Sequence, residues 1–172
     1  MLMRLTKYSE YIGARSNAFS TFFHAYYKNL IKREVTLLDL KKAQRILFIG
    51  SGADPLSALN LKAYTTAHIT LCDHDKSMIE SARKKLRTQH IKAVSYLHKA
   101  GMDCSFEDYD VIYIAKQVND KNAIINKILS LAPKAKILVR YGKNDRFYKH
   151  RSPKLCYYHT NGWTKTTCLY HA

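Results

Sequence analysis

Arg45-Ile-Leu-Phe-Ile-Gly-Ser-Gly-Ala-Asp-Pro-Leu-Ser57, followed by Leu71-Cys-Asp-His-Asp75, reads as a buried strand, a glycine turn and a second strand ending in carboxylates. A strand that ends at Ile49 must hand the chain to a helix with almost no side chain in a ligand's way. Gly50 and Gly52 meet that demand. The run Ala67-His-Ile-Thr-Leu-Cys72 then ends in Asp73, at the spacing where a neighbouring parallel strand presents an acid to a ribose.

This pattern predicts the adenosine-binding half of a Rossmann-like domain. A dinucleotide site needs a third glycine, so that a helix N-terminus can close on a pyrophosphate. Here the turn continues Ala53-Asp54-Pro55, and a carboxylate beside a pyrophosphate would be repelled. An acid suits a ligand with a cationic amino group and no phosphate, so the expected cofactor is S-adenosylmethionine. Asp54 also reads as the N-cap of a helix starting at Pro55.

At 172 residues one domain is expected, with 1–43 an N-terminal helical segment and 44–172 the core. No apolar run approaches a membrane span, and Met1-Leu-Met-Arg-Leu-Thr-Lys7 lacks the pattern of a secretory signal, so a cytoplasmic protein is expected. Cys72, Cys104, Cys156 and Cys168 are dispersed and read as small core residues, neither disulfides nor zinc ligands. The eight histidines fall in different elements and give no ligand triad, so no metal is expected. The formal charge of +16 raises the odds of an acidic or polyanionic partner without naming it.

Apolar residues at three- and four-residue intervals, from Phe19 through Tyr26 and Tyr27 to Leu38, predict helix in the first forty residues, with a break at Gly13 and a cap at Ser16. Strands at 46–49, 69–72, 94–97, 111–115 and 136–141 alternate with helices at 55–65, 76–89 and 122–131, which implies a parallel sheet with 111–115 at its centre. Asn161-Gly162 between 155–159 and 166–171 signals a terminal hairpin. The fold class is therefore α/β: a Rossmann-like, mostly parallel seven-stranded sheet ending in an antiparallel hairpin, the architecture of class I methyltransferases.

Tyr26-Tyr27, Glu34, Gly50-Ser-Gly-Ala-Asp-Pro-Leu56, Asp73-His-Asp75, Tyr109-Asp-Val-Ile-Tyr-Ile-Ala115, Ala132-Pro133 and Leu138-Val-Arg140 together resemble the nicotianamine synthase-like branch of the class I S-adenosylmethionine-dependent transferases. The resemblance covers roughly residues 23 to 171. It implies transfer of an aminocarboxypropyl group, whereas the wider superfamily implies methyl transfer. Two departures stand out: only about forty residues occupy the place of the family's substantial helical N-terminal region, and Lys99-Ala-Gly101 stands where relatives often carry an acid. Adenine recognition is then expected from Met102 or Asp103.

The candidate cofactor residues are Gly50, Ser51, Gly52, Asp54, Asp73, His74, Met102 and Ala115, with Asp75 capping the following helix. In the first reading, an enzyme acting on a small amine or amino acid, Tyr27 or Glu34 orients or deprotonates the attacking amine. Glu34 also reads as a surface residue paired along its helix. Arg140 holds a substrate carboxylate or pairs with Asp110, and Tyr141 and Tyr113 line the pocket. A second reading is an RNA methyltransferase in which Arg146, Lys149, His150, Arg151 and Lys154 grip phosphates around Phe147 and Tyr148. A third is a noncatalytic interaction protein that kept a cofactor-binding fold.

Overall fold

The run Arg45–Ile49 (β1) is buried from its second residue onward because strands flank it and helices cover both its faces. A computed structural model describes residues 17–36, 38, 40, 43–142, 145, 153–159, 164 and 166–170, with side chains from residue 25. Helix α1 (Asn17–Val35) precedes β1. After β1 come α2 (Leu56–Leu61), β2 (His68–Asp73), α3 (Lys76–Thr88), β3 (Val94–His98) and a single 3₁₀ turn, Gly101–Asp103. The order then runs β4 (Val111–Ile114), α4 (Lys121–Leu131), β5 (Lys136–Tyr141), β6 (Leu155–Tyr158) and β7 (Thr166–Tyr170). The expected break and cap at Gly13 and Ser16, and the Asn161-Gly162 turn, lie outside the described residues.

The strands form one seven-stranded sheet in the order β3-β2-β1-β4-β5-β7-β6. β1 to β5 pair in parallel, and β7 is antiparallel to both β5 and β6. β4 lies at the centre, as its unbroken apolar run implied. The strand order reverses between β1 and β4, which opens a crevice beyond their carboxyl ends.

Side-chain alternation sorts the core into two faces. Leu47, Ile49, Ile112, Ile114, Ile137, Val139 and Tyr141 pack with Ile124, Ile125 and Ile128 of α4. Ile46, Phe48, Val111, Tyr113 and Leu138 pack on the other face with Ile31 of α1, Leu61 of α2 and Leu86 of α3. Two adjacent residues of β5 consequently part company: Tyr141 belongs to the α4 face, and Arg140 is turned toward α1.

Two local expectations are corrected. Helix α2 begins at Leu56, with Pro55 in the cap position and no side-chain cap bond, because the Asp54 carboxylate is drawn to Lys85 on α3. Asp75, by contrast, does cap α3, accepting from the Ser77 N–H at 3.0 Å. Cys156 and Cys168 are joined in a disulfide, not free core thiols. A two-residue turn at Asn161-Gly162 would pair Cys156 with Thr167 and turn the cysteines to opposite faces. The actual register sets Cys156 directly against Cys168, with Cα atoms 4.2 Å apart. No helix among the described residues is long and apolar enough to cross a membrane.

Candidate functional site

The turn after β1 is held from beneath by β2. Gly50 and Ser51 donate their N–H groups to the Cys72 carbonyl at 2.8 and 3.1 Å. Asp73 accepts the Gly52 N–H at 3.0 Å on one carboxylate oxygen and the Asp75 N–H at 3.1 Å on the other, while His74 Nδ1 lies 3.3 Å away. Asp73 therefore clasps the strand end to the turn, a role the sequence did not suggest. Each of its oxygens keeps lone-pair capacity for a ligand hydroxyl.

Gly50 and Gly52 both sit at positive φ, +77° and +68°. A Cβ on Gly50 would come 2.5 Å from Val118 Cγ2, so glycine is required both by backbone conformation and by the loop beyond β4 that closes over it. Two depressions flank this turn. A cleft of about 220 Å³ is lined by Asp73, His74, Lys99, Gly101, Met102 and Val118, among others. A tighter pocket of about 50 Å³ lies on the other side, bordered by Tyr27, Ser51, Asp54, Ser57, Ala115 and Arg140, among others.

The smaller pocket holds the unusual chemistry. Among the described residues only Ser51 Oγ, Asp54 Oδ1 and the Tyr113 hydroxyl are buried side-chain polar atoms without a hydrogen-bond partner. Ser51 and Asp54 line the pocket itself; Tyr113 stacks on its Phe48 wall with ring centroids 4.3 Å apart. Burial pushes the Tyr113 phenol well above its ordinary pKa, so it stays protonated and able to donate. The other Asp54 oxygen is taken by Lys85, which leaves one carboxylate oxygen with spare accepting capacity.

Arg140 faces these groups from β5. Its Nε and Nη2 donate to the two carboxylate oxygens of Glu34 at 2.7 and 2.6 Å, and Nη1 donates to Ser57 Oγ at 2.6 Å. Glu34 has no exposed surface and also accepts from Thr167 Oγ1 at 3.0 Å. Thr167 spends its one proton on Glu34, so His159 Nε2, 2.9 Å from the same oxygen, is the donor there. Burial disfavours the Arg140 charge, but the Glu34 carboxylate outweighs it and keeps the guanidinium protonated. The Tyr27 and Tyr113 rings lie 5.9 and 5.7 Å from the guanidinium carbon.

Several expectations change accordingly. Arg140 pairs with Glu34 and not with Asp110, which instead accepts the backbone N–H groups of Gln44 and Arg45 at the opposite end of the sheet. Glu34 is no surface residue. It sits behind Arg140 and does not line the pocket, whereas Tyr27 does. Tyr141 turns to the α4 face and bonds the Tyr170 hydroxyl at 2.8 Å, away from both depressions. Ser57, Thr167 and His159 were missed, since a hydroxyl or imidazole in an amphipathic helix or strand carries no signal of its own. The basic stretch from Arg146 to Arg151, with Phe147 and Tyr148, lies outside the described residues.

The strand order, the glycine turn at its switch point and the terminal hairpin define the class I S-adenosylmethionine-dependent methyltransferase fold. MtNAS in complex with MTA and tNA superposes with a TM-score of 0.78 at 17% identity, covering 97% of this chain and 69% of that one. An RNA methyltransferase from Salinibacter ruber in complex with S-adenosyl-L-homocysteine gives 0.68 at 14% identity, covering 83% and 90%. At such identities the likeness is one of fold. A family model described as nicotianamine synthase protein matches residues 4–159, and the chain belongs to that family of S-adenosylmethionine-dependent transferases. Among curated relatives, the L-histidine 2-aminobutanoyltransferase of Pseudomonas aeruginosa is 34% identical over 116 residues, 65% of this chain and 44% of its own length. Its namesake from Yersinia pestis is 27% identical over 114 residues, 65% and 43%. The chain thus spans under half the length of these relatives.

Proposed function

We propose that this chain transfers the aminocarboxypropyl group of S-adenosylmethionine to the amino group of a small amine or amino acid. The observation that carries the reading is the pairing of opposite charges in one pocket. Asp54 offers a buried, unpartnered carboxylate oxygen, and Arg140 offers a buried guanidinium fixed in orientation by Glu34. Those two groups complement the ammonium and carboxylate of an α-amino acid. The names of the curated relatives, with an amino acid as acceptor, support the same reading.

When bound, S-adenosylmethionine supplies a sulfonium leaving group and an electrophilic carbon beside it. Gly50 and Gly52 admit a ligand close to the backbone, Asp73 and His74 receive the ribose in the larger cleft, and Met102 borders the adenine. Asp54 and Arg140 hold the amino acid end, with Ala115 beside it. Tyr27 orients the attacking amine. Glu34 acts through Arg140 as a positioning residue.

Calorimetry with S-adenosylhomocysteine tests the cofactor assignment. Asp73→Ala is expected to weaken binding at least tenfold, of the order of 1.4 kcal/mol or more. Unchanged affinity would overturn the assignment of that cleft.

A further inference from the structure

Two thiols that the transfer chemistry does not use lie against the larger cleft. Cys72 immediately precedes Asp73 on β2, and Cys104 follows the Gly101–Asp103 turn. Both are buried and free, and their sulfur atoms are 3.4 Å apart. Each also faces a carbonyl of the segment that lines the cleft, Cys72 toward Lys99 at 3.3 Å and Cys104 toward Ala100 at 3.6 Å. The turn has little slack: a Cβ on Gly101 would lie 2.8 Å from Ile49 and 2.9 Å from Ile124.

We propose that Cys72 and Cys104 are a reversible dithiol–disulfide pair whose oxidation reshapes the cleft beside Asp73. A disulfide brings its sulfurs to about 2.05 Å, so the pair must close by about 1.4 Å. That movement pulls on a turn whose neighbours Lys99, Ala100, Gly101 and Met102 form one wall of the cleft. The inference that cofactor affinity responds rests on the reading of this cleft as the adenosine site.

The two thiols are not equivalent. Contact with the Cys72 sulfur, with the Lys99 and Lys127 ammonium groups nearby, holds the Cys104 thiol below its ordinary pKa. The same contact, together with burial, pushes Cys72 up. Cys104 is then the nucleophile and Cys72 the proton carrier.

Hydrogen peroxide is the oxidant class. The Cys104 thiolate attacks one peroxide oxygen, forming an S–O bond, breaking the O–O bond and releasing hydroxide. The Cys72 sulfur then attacks the Cys104 sulfenic acid, forming the S–S bond and breaking the S–O bond. The departing hydroxyl leaves as water with the Cys72 proton. Two thiols and one peroxide give one disulfide and two waters, the sulfurs oxidised and the oxygens reduced. A thiol reductant reverses the process by exchange.

The test treats the full chain with dilute hydrogen peroxide and maps its peptides without reduction. S-adenosylhomocysteine affinity and amide hydrogen exchange over residues 99–103 are measured before oxidation, after it, and after dithiothreitol. A Cys72–Cys104 linked peptide is expected, with altered exchange, affinity weakened by about fivefold or more and recovery on reduction. Cys104→Ser should show none of these changes. Absence of the linked peptide overturns the proposal, as does a linked form with unchanged exchange. If the reduced protein fails to bind S-adenosylhomocysteine, the cofactor reading falls, while the peptide map and exchange data still decide the thiol pair.

Discussion

Glu34→Ala would leave the Arg140 guanidinium charged and buried with no counter-ion. Two charge-assisted bonds, at 2.7 and 2.6 Å, would vanish together, and Thr167 would lose its acceptor. Stripping one partner from a buried ion pair costs about 3–5 kcal/mol. Each kcal/mol shifts the melting temperature of a chain this size by about 2–4 °C, so a drop of about 6–20 °C is expected. Glu34→Gln keeps the shape and one carbonyl acceptor but not the charge, so its loss should approach that of Glu34→Ala. Adding Arg140→Met to Glu34→Ala removes the stranded charge and should recover much of the loss. Denaturant unfolding of the parent, Glu34→Ala, Arg140→Met and the double variant, read as a double-mutant cycle, measures the coupling. Single variants within about 1 kcal/mol of the parent, or strictly additive losses, would refute the account of a locked Arg140.

Asp54→Asn keeps the size of the side chain but removes the charge an ammonium would meet, and calorimetry should show S-adenosylhomocysteine binding weakened by about tenfold. Unaltered affinity would place the amino acid end elsewhere. Gly50→Ala sets a Cβ 2.5 Å from Val118 at a φ of +77°; it should abolish detectable cofactor binding while circular dichroism stays folded. Retained binding would show that the loop beyond β4 yields. Burial pushes the His159 imidazole below its ordinary pKa; Glu34 opposes that shift, and Arg33 and Arg140 add to it. Just below about pH 6.5 the unfolded chain therefore binds a proton that the folded one refuses, and stability, fully present above that value, declines as pH falls. His159→Gln should flatten that decline in melting temperatures taken from about pH 5 to 8, and an identical slope would contradict the assignment.

The turn after β1 and the acid that ends β2 were legible because their requirements are local. A turn that must reach positive φ names its glycines, and a strand that must end in an acid names Asp73. The pocket around Arg140 was only half legible. Glu34 read either as a pocket residue or as a surface residue paired along its helix, although it shares a helix face with Leu30 and Ile31, both buried. Arg140 likewise interrupts an apolar strand. Nothing in the sequence said that Glu34, on a helix before β1, meets Arg140 on β5, so the partners considered for Arg140 were a substrate carboxylate and Asp110, which lies at the other end of the strands. Tyr141 fails for the simplest reason: its neighbour Arg140 faces the pocket, and alternation then sends it to the opposite face. The Cys156–Cys168 bridge depends on a hairpin register one residue away from the one a two-residue turn would impose.

Product analysis tests the central claim most directly. The chain is incubated with S-adenosylmethionine labelled in its amino acid carbons and a panel of amines and amino acids, and the products are resolved by mass spectrometry. The account predicts methylthioadenosine, together with an acceptor that carries the labelled aminocarboxypropyl group. S-adenosylhomocysteine with an unlabelled, methylated acceptor would contradict it.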